Sequence, residues 1–160
     1  MFEIAQKTYM QEVHERITTN PQDDETIRIL EDFISRFPDF HPAINNLAII
    51  YHEKGMEDKA LQLFEKAVEL DPNNAKYLKD LADFYLVQYG RLEDALRLYV
   101  KVLESDNEDV EVYLTLGNIC AYIKRYDDAQ FFYDKVLEIE PWNITAMDNL
   151  DLIEEIKNKS

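Results

Sequence analysis

Cysteine is nearly absent. Cys120 stands alone among 160 residues, which excludes an intramolecular disulfide framework and a cysteine-based zinc site. Glycine is almost as scarce: Gly55, Gly90 and Gly117 lie far apart, so no glycine-rich loop is present to cradle a phosphate or a dinucleotide. Basic residues number 17 against 33 acidic ones, a formal charge of −16. Phosphate binding needs clustered Lys and Arg to displace counterions, so no nucleic acid and no anionic membrane surface is expected as a partner. No apolar run approaches the roughly 18 residues of a membrane span. The opening MFEIAQKTYMQE also lacks the basic stretch and following apolar run of a secretory signal. These absences predict a soluble chain of the cytoplasm.

What is present is 46% hydrophobic residues, too many for a disordered acidic tail, over a length close to the roughly 150 residues of one domain. The chain also repeats itself. NNLAIIYHEKGMEDKALQLFEKAVELDPNN, ending at Asn74, matches LTLGNICAYIKRYDDAQFFYDKVLEIEPWN, ending at Asn143. Between them lies KDLADFYLVQYGRLEDALRLYVKVLESDNED, ending at Asp109. Pro38 and Pro72 are 34 residues apart, and Pro72 to Pro141 is 69, two periods with one extra residue. Asn107 stands where the intervening proline would fall, and the extra residue lies in the turn before Arg91.

Within each unit the apolar spacing is helical. Ile44, Leu47, Ala48 and Tyr51 fall at i, i+3, i+4 and i+7, as do Leu78, Leu81, Ala82 and Tyr85, and Tyr113, Leu116, Gly117 and Cys120. A second stripe follows after a short turn: Ala60, Phe64, Ala67 and Val68, then Ala95, Tyr99, Val102 and Leu103, then Ala129, Tyr133, Val136 and Leu137. Two helices of about 14 residues fill such a unit. The small residues Ala48, Ala82, Gly117, Ala60, Ala95 and Ala129 sit where paired helices approach most closely, at axial distances of roughly 8–10 Å. Proline near the end of each second helix stops it and is placed to begin the next. One pair cannot bury both its faces, so the pairs are expected to stack.

With these residues the chain resembles the tetratricopeptide-repeat family. Residues 41–74 follow its pattern with Ile44, Leu47-Ala48, Tyr51, Gly55, Ala60, Phe64, Ala67 and Pro72. Units 75–109 and 110–143 follow it too, the latter with Cys120 for the tyrosine, Lys124 for the turn glycine and Val136 for a small residue. Residues 7–40 form a degenerate first unit. There Met10, Val13, Ile17, Leu30, Phe33 and Pro38 keep the stripes, while His14 and Thr26 replace small residues and predict looser packing or a different packing angle. Residues 144–157 read as a terminal capping helix, with Met147 and Leu150 on its inner face and Asp151 and Glu154 where a partner helix would meet it, so the array is expected to end there. The resemblance implies an all-α, right-handed superhelix of antiparallel helix pairs.

Chemistry-bearing residues do not converge. Asp23-Asp24-Glu25, Glu57-Asp58, Glu93-Asp94 and Asp127-Asp128 recur at one phase, the first turn of the second helix, where carboxylates complement the helix dipole. Asp106-Asn107-Glu108-Asp109 lacks the glycine and distal Glu of a calcium loop and reads as a turn capping the next helix. His41 and His52 are about 16 Å apart along a helix and cannot share a metal, and His14 is the only other histidine. Cys120 reads as a small buried hydrophobe, and Asn143 as a helix cap rather than a glycosylation site. No catalytic residue, metal or cofactor is therefore expected, and the chain does not read as an enzyme.

The resemblance implies binding along the concave face, at the second, fifth, ninth, twelfth and thirteenth residues of each first helix. The groove residues so implied are Asn45, Ile49, His52, Lys79, Asp83, Leu86, Val87, Leu114, Asn118 and Tyr122. The clamp by which some members hold the C-terminal carboxylate of heat-shock chaperones is not matched. Asn45, Ile49, Lys79, Asp83 and Thr115 stand at its positions. An apolar stripe of Ile49, Leu86, Val87, Leu114 and Tyr122 suits a protein or peptide with an apolar segment, its backbone held by Asn45 and Asn118. Some of these residues could instead pack against an N-terminal helix or fill a tight superhelix. On the convex side Phe131, where other units have Arg28, Gln62 and Arg97, marks a possible contact. Two further readings of the function stand beside this scaffold: the adaptor domain of a larger enzyme such as a transferase, and a small acidic chaperone for a secreted client.

Overall fold

The computed structural model describes Lys7, Thr8, Gln11, Val13, Glu15, Arg16, Thr19, residues 23–105 and residues 108–159. The expectations placed on Met10, His14, Ile17, Asp106 and Asn107 lie outside these residues. From Asp23 onward the described residues form eight helices and no strand: α1 Asp24–Arg36, α2 His41–Glu53, α3 Glu57–Leu70, α4 Ala75–Tyr89, α5 Leu92–Ser105, α6 Val110–Tyr122, α7 Tyr126–Ile139 and α8 Ile144–Asn158. The chain divides within α4 into two compact units, Met1–Phe84 and Tyr85–Ser160.

In the first unit α2 is covered on both sides. Ala43 and Ile50 are buried on one face, Ile44, Leu47, Ala48 and Tyr51 on another. The side chains of Ala48 and Ala60 are wholly buried, as close helix approach requires. The α2–α3 turn closes as a Schellman motif: Met56 N–H donates to Tyr51 C=O at 2.8 Å while Gly55 takes φ +70°. Two ties bind α2 to α1. Tyr51 Oη donates to Glu31 Oε1, and Lys54 Nζ lies 2.7 Å from Asp24 Oδ1. Thr26 is only 1% exposed, so this β-branched residue is taken into the core. A cluster of Ile44, Ala67 and Tyr77 joins α2, α3 and the start of α4.

The second unit repeats this plan. Cys120, Ala129, Tyr133, Val136, Ala146 and Ile153 form one core cluster spanning α6, α7 and α8. Gly117 is there for contact, since a Cβ on it would come within 2.5 Å of the buried Tyr133 ring. At the α6–α7 turn Arg125 N–H donates to Cys120 C=O at 2.8 Å, and Lys124 takes φ +62°, the left-handed conformation that Gly55 takes in the first unit. After α4, Arg91 N–H instead reaches Tyr85 C=O at 3.0 Å, one residue further back, with Gly90 at φ +60°. The extra residue is absorbed there and in α4, which has 15 residues where α2 and α6 have 13.

Helices α4, α6 and α8 are capped by the side chain of the residue before them, whereas Phe40 before α2 makes no such bond. Asn74 Oδ1 accepts from Tyr77 N–H at 3.3 Å, Asp109 Oδ1 from Val112 N–H at 3.0 Å, and Asn143 Oδ1 from Ala146 N–H at 3.0 Å. Neither Met56 before α3 nor Arg125 before α7 makes a side-chain cap bond, and both helices carry two carboxylates in the first turn instead. The prolines sit in the inter-repeat turns: helices α2, α4 and α8 start three residues after Pro38, Pro72 and Pro141, so the prolines end one helix without beginning the next. On α8 the buried residues are Ala146 and Ile153. Met147, expected on the inner face, is 43% exposed, because no helix among the described residues covers that side.

Candidate functional site

The end of α4, the start of α5 and one face of α6 border an open cavity of about 510 Å³ lined by Leu86, Gly90, Leu92, Thr115, Asn118, Ile119 and Tyr122. All seven belong to the second unit. Gly90 in its left-handed turn brings Leu92 back toward α6, and the 80% exposed Tyr122 forms one rim. The walls are largely carbon, with two polar groups among them. Asn118 Oδ1 accepts from Tyr133 Oη at 2.7 Å and from Asn149 Nδ2 at 3.2 Å, which fixes the amide. Its Nδ2 has no partner among the described residues. Thr115 Oγ1 donates to Glu111 C=O at 2.9 Å, one turn back, leaving its lone pairs to accept.

The structure brings Leu86, Asn118 and Tyr122 together on this cavity. It does not place the other expected groove residues on this cavity. Leu114 is half-buried against the α6–α7–α8 core, and Val87 is 72% exposed outside the cavity. In the first unit Asn45 departs most. It is 1% exposed, its Nδ2 donates to Asp80 Oδ2 at 2.7 Å, and its buried Oδ1 has no partner. Asp80 also holds Lys76 Nζ at 2.6 Å. Asn45 therefore cannot reach a guest's backbone; α4 has closed over it. Ile49 is half-buried. His52 is engaged by Glu57 Oε2 at 3.1 Å and stacks edge-on to Phe84 at 5.1 Å. Lys79 and Asp83 each have interactions of their own within the protein. Phe131 is 54% exposed, with its ring against Phe132 at 5.4 Å and Lys135 Nζ 5.8 Å above it.

Sequence reasoning missed Gly90, Leu92 and Ile119 as wall residues, and Asp80 and Asn149 as the polar groups holding the asparagines. The last two share a signal: each is the sixth residue of its first helix, reaching back to the preceding one. Burial favours the neutral form of two titratable groups near the cavity. Desolvation pushes the Tyr133 phenol and the Cys120 thiol above their ordinary ranges, so the thiol beneath α6 is a poor nucleophile. No group of three or more metal-ligating side chains occurs among the described residues.

Three family models, each of the tetratricopeptide repeat, match residues 41–74, 63–97 and 86–150. The chain belongs to the tetratricopeptide-repeat family. Among solved structures, this repeat protein is similar to the crystal structure of MamA, with a TM-score of 0.82 at 21% identity over 95% of this chain and 82% of that one. YrrB, a TPR protein with an unusual peptide-binding site, gives 0.78 at 20% identity over 94% and 76%. Among curated proteins, the O-mannosyl-transferase TMTC2 of Homo sapiens is 26% identical over 98 residues, 60% of this chain but 12% of that protein. The photosystem I assembly protein Ycf3 of Prochlorococcus marinus is 30% identical over 96 residues, 56% of this chain and 53% of that one. The repeat chain thus spans only a small part of the transferases and about half of the assembly protein. No helix among the described residues is long and apolar enough to cross a membrane.

Proposed function

We propose that this tetratricopeptide-repeat chain is a non-enzymatic interaction module that captures an apolar segment of a partner polypeptide in the cavity between α4, α5 and α6. The single observation that carries the reading is the cavity's composition: apolar walls from Leu86, Leu92 and Ile119 around one fixed amide donor and one hydroxyl acceptor. An apolar side chain fills the space, a backbone carbonyl accepts from Asn118 Nδ2, and a backbone N–H donates to Thr115 Oγ1. The cytoplasm is the compartment this reading assumes. The peptide-binding site named for YrrB agrees with it, at the level of fold.

The test uses the partner recovered by co-purification from the native host and identified by mass spectrometry. Leu86→Asp and Tyr122→Ala should each weaken its affinity about tenfold or more, whereas Lys79→Glu should change it less. Unchanged affinity in both of the first two variants rejects the cavity as the binding site. A second reading, an adaptor region within a longer enzyme, is favoured by the match to 12% of the human transferase. An assembly chaperone is favoured by the match to Ycf3. Both keep the same capture mechanism and differ in what the chain is attached to.

A further inference from the structure

The fourth, eighth and eleventh residues of a first helix face the helix that follows it. In α2 these are Ile44, Ala48 and Tyr51, all buried; in α6 they are Tyr113, Gly117 and Cys120, buried or half-buried against α7. In α8 they are Met147, Asp151 and Glu154, and all three are exposed. Both sides of the motif are visible in α6 and α7, where the eighth residue, Gly117, lies directly beneath the ring of Tyr133. On α8 the same spot carries a carboxylate. Its charge is uncompensated: Lys157 Nζ is held by Asp127 at 2.6 Å and Lys159 Nζ by Glu155 at 3.3 Å. Asp148, Asp151 and Glu154 have no cation partner among the described residues.

We propose that this face of α8 docks a basic amphipathic helix of a partner protein, seated as α7 is seated on α6. The occupant follows from the geometry. The seam of α7 is Ala129, Tyr133 and Val136, at i, i+4 and i+7. A guest keeps the small residue, which allows close approach, and an apolar residue at i+7 against Met147 and Leu150. At i+4, where α7 has its tyrosine, it carries Lys or Arg, because Asp151 takes the room that the absent Gly117 side chain leaves for a ring and offers a carboxylate instead. A second copy of this chain is disfavoured as occupant by its net charge of −16 against an acidic face.

A labelled synthetic peptide of about 20 residues with an Ala-Lys-Val seam, titrated into the full chain by fluorescence anisotropy, tests this. It should bind at least about tenfold more tightly than a twin with Glu for Lys, and than a scrambled peptide of the same composition. The double variant Asp151→Lys, Glu154→Lys, both at exposed positions, should reverse the preference between the twins. Leu86→Asp, in the other site, should leave it intact. Circular dichroism checks that each variant keeps its helix content. No binding, equal binding of the twins, or equal binding of the scrambled peptide overturns the proposal. So does loss of binding in Leu86→Asp, or self-association in sedimentation that Asp151→Lys abolishes.

Discussion

Two residues in the second unit show opposite ways in which one side chain sets the geometry of a repeat. Gly117 has no Cβ because the Tyr133 ring occupies that space, and Tyr133 is 1% exposed with its hydroxyl bound to Asn118, so the ring cannot swing away. Gly117→Ala improves helix propensity by about 1 kcal/mol, but overpacking of this kind costs roughly 1–3 kcal/mol. The variant should be the less stable, with a lower urea midpoint and an unchanged denaturant slope. Lys124 is the converse. It sits at φ +62° where Gly55 sits at +70°, a conformation that costs an L-residue roughly 1–2 kcal/mol. Lys124→Gly should therefore raise the midpoint of thermal unfolding, the gain in stability being about 1 kcal/mol at most once the greater freedom of the unfolded glycine is subtracted. A lowered midpoint would mean that Lys124 makes a compensating contact.

At the scale of the helix, ends matter as much as faces. α8 is covered on one side by α7, through Ala146 and Ile153, and its first turn rests on the Asn143 cap. Asn143→Ala should cost about 1 kcal/mol and raise the exchange rate of the amides in that turn well before those of α6 respond; uniform acceleration would show instead that α8 opens only with the rest of its unit. Helix positions and their inward stripes were readable in the sequence because both follow from spacing within about 14 residues. Asn143 and Asp109 were readable as caps for the same reason. The fate of Asn45 was not. Whether the fifth residue of a first helix faces a guest or is sealed depends on the sixth residue of the next first helix, 35 positions on, a contact that no spacing within the helix of Asn45 reveals. Asn118, at the ninth position, is reached by Asn149 yet keeps one face open. Gly90 was visible as an inserted residue, but that it turns Leu92 into a cavity wall is a consequence of backbone geometry alone.

At the scale of the molecule the dominant quantity is charge. The excess of 16 negative charges is spread over a chain whose visible ion pairs are mostly surface contacts within one helix, such as Arg28–Glu25, Arg36–Asp32 and Lys135–Glu138. Pairs of this kind contribute roughly 0–1 kcal/mol each and weaken with salt. The remaining carboxylates repel one another through solvent over distances comparable with the Debye length, about 10 Å at 0.1 M ionic strength. Two consequences oppose each other when salt is added: attraction within pairs falls, and repulsion among unpaired acids falls. Because the acids outnumber the bases by almost two to one, repulsion should dominate the balance. The unfolding temperature should accordingly rise as sodium chloride is taken from about 20 mM to about 500 mM, a range over which screening grows but the anion adds little through exclusion from the surface. A fall would show that Lys54–Asp24 and Lys157–Asp127, the two ties that reach across thirty residues from one helix to another, outweigh the general repulsion, and Lys157→Met would then be the variant in which the salt dependence changes sign.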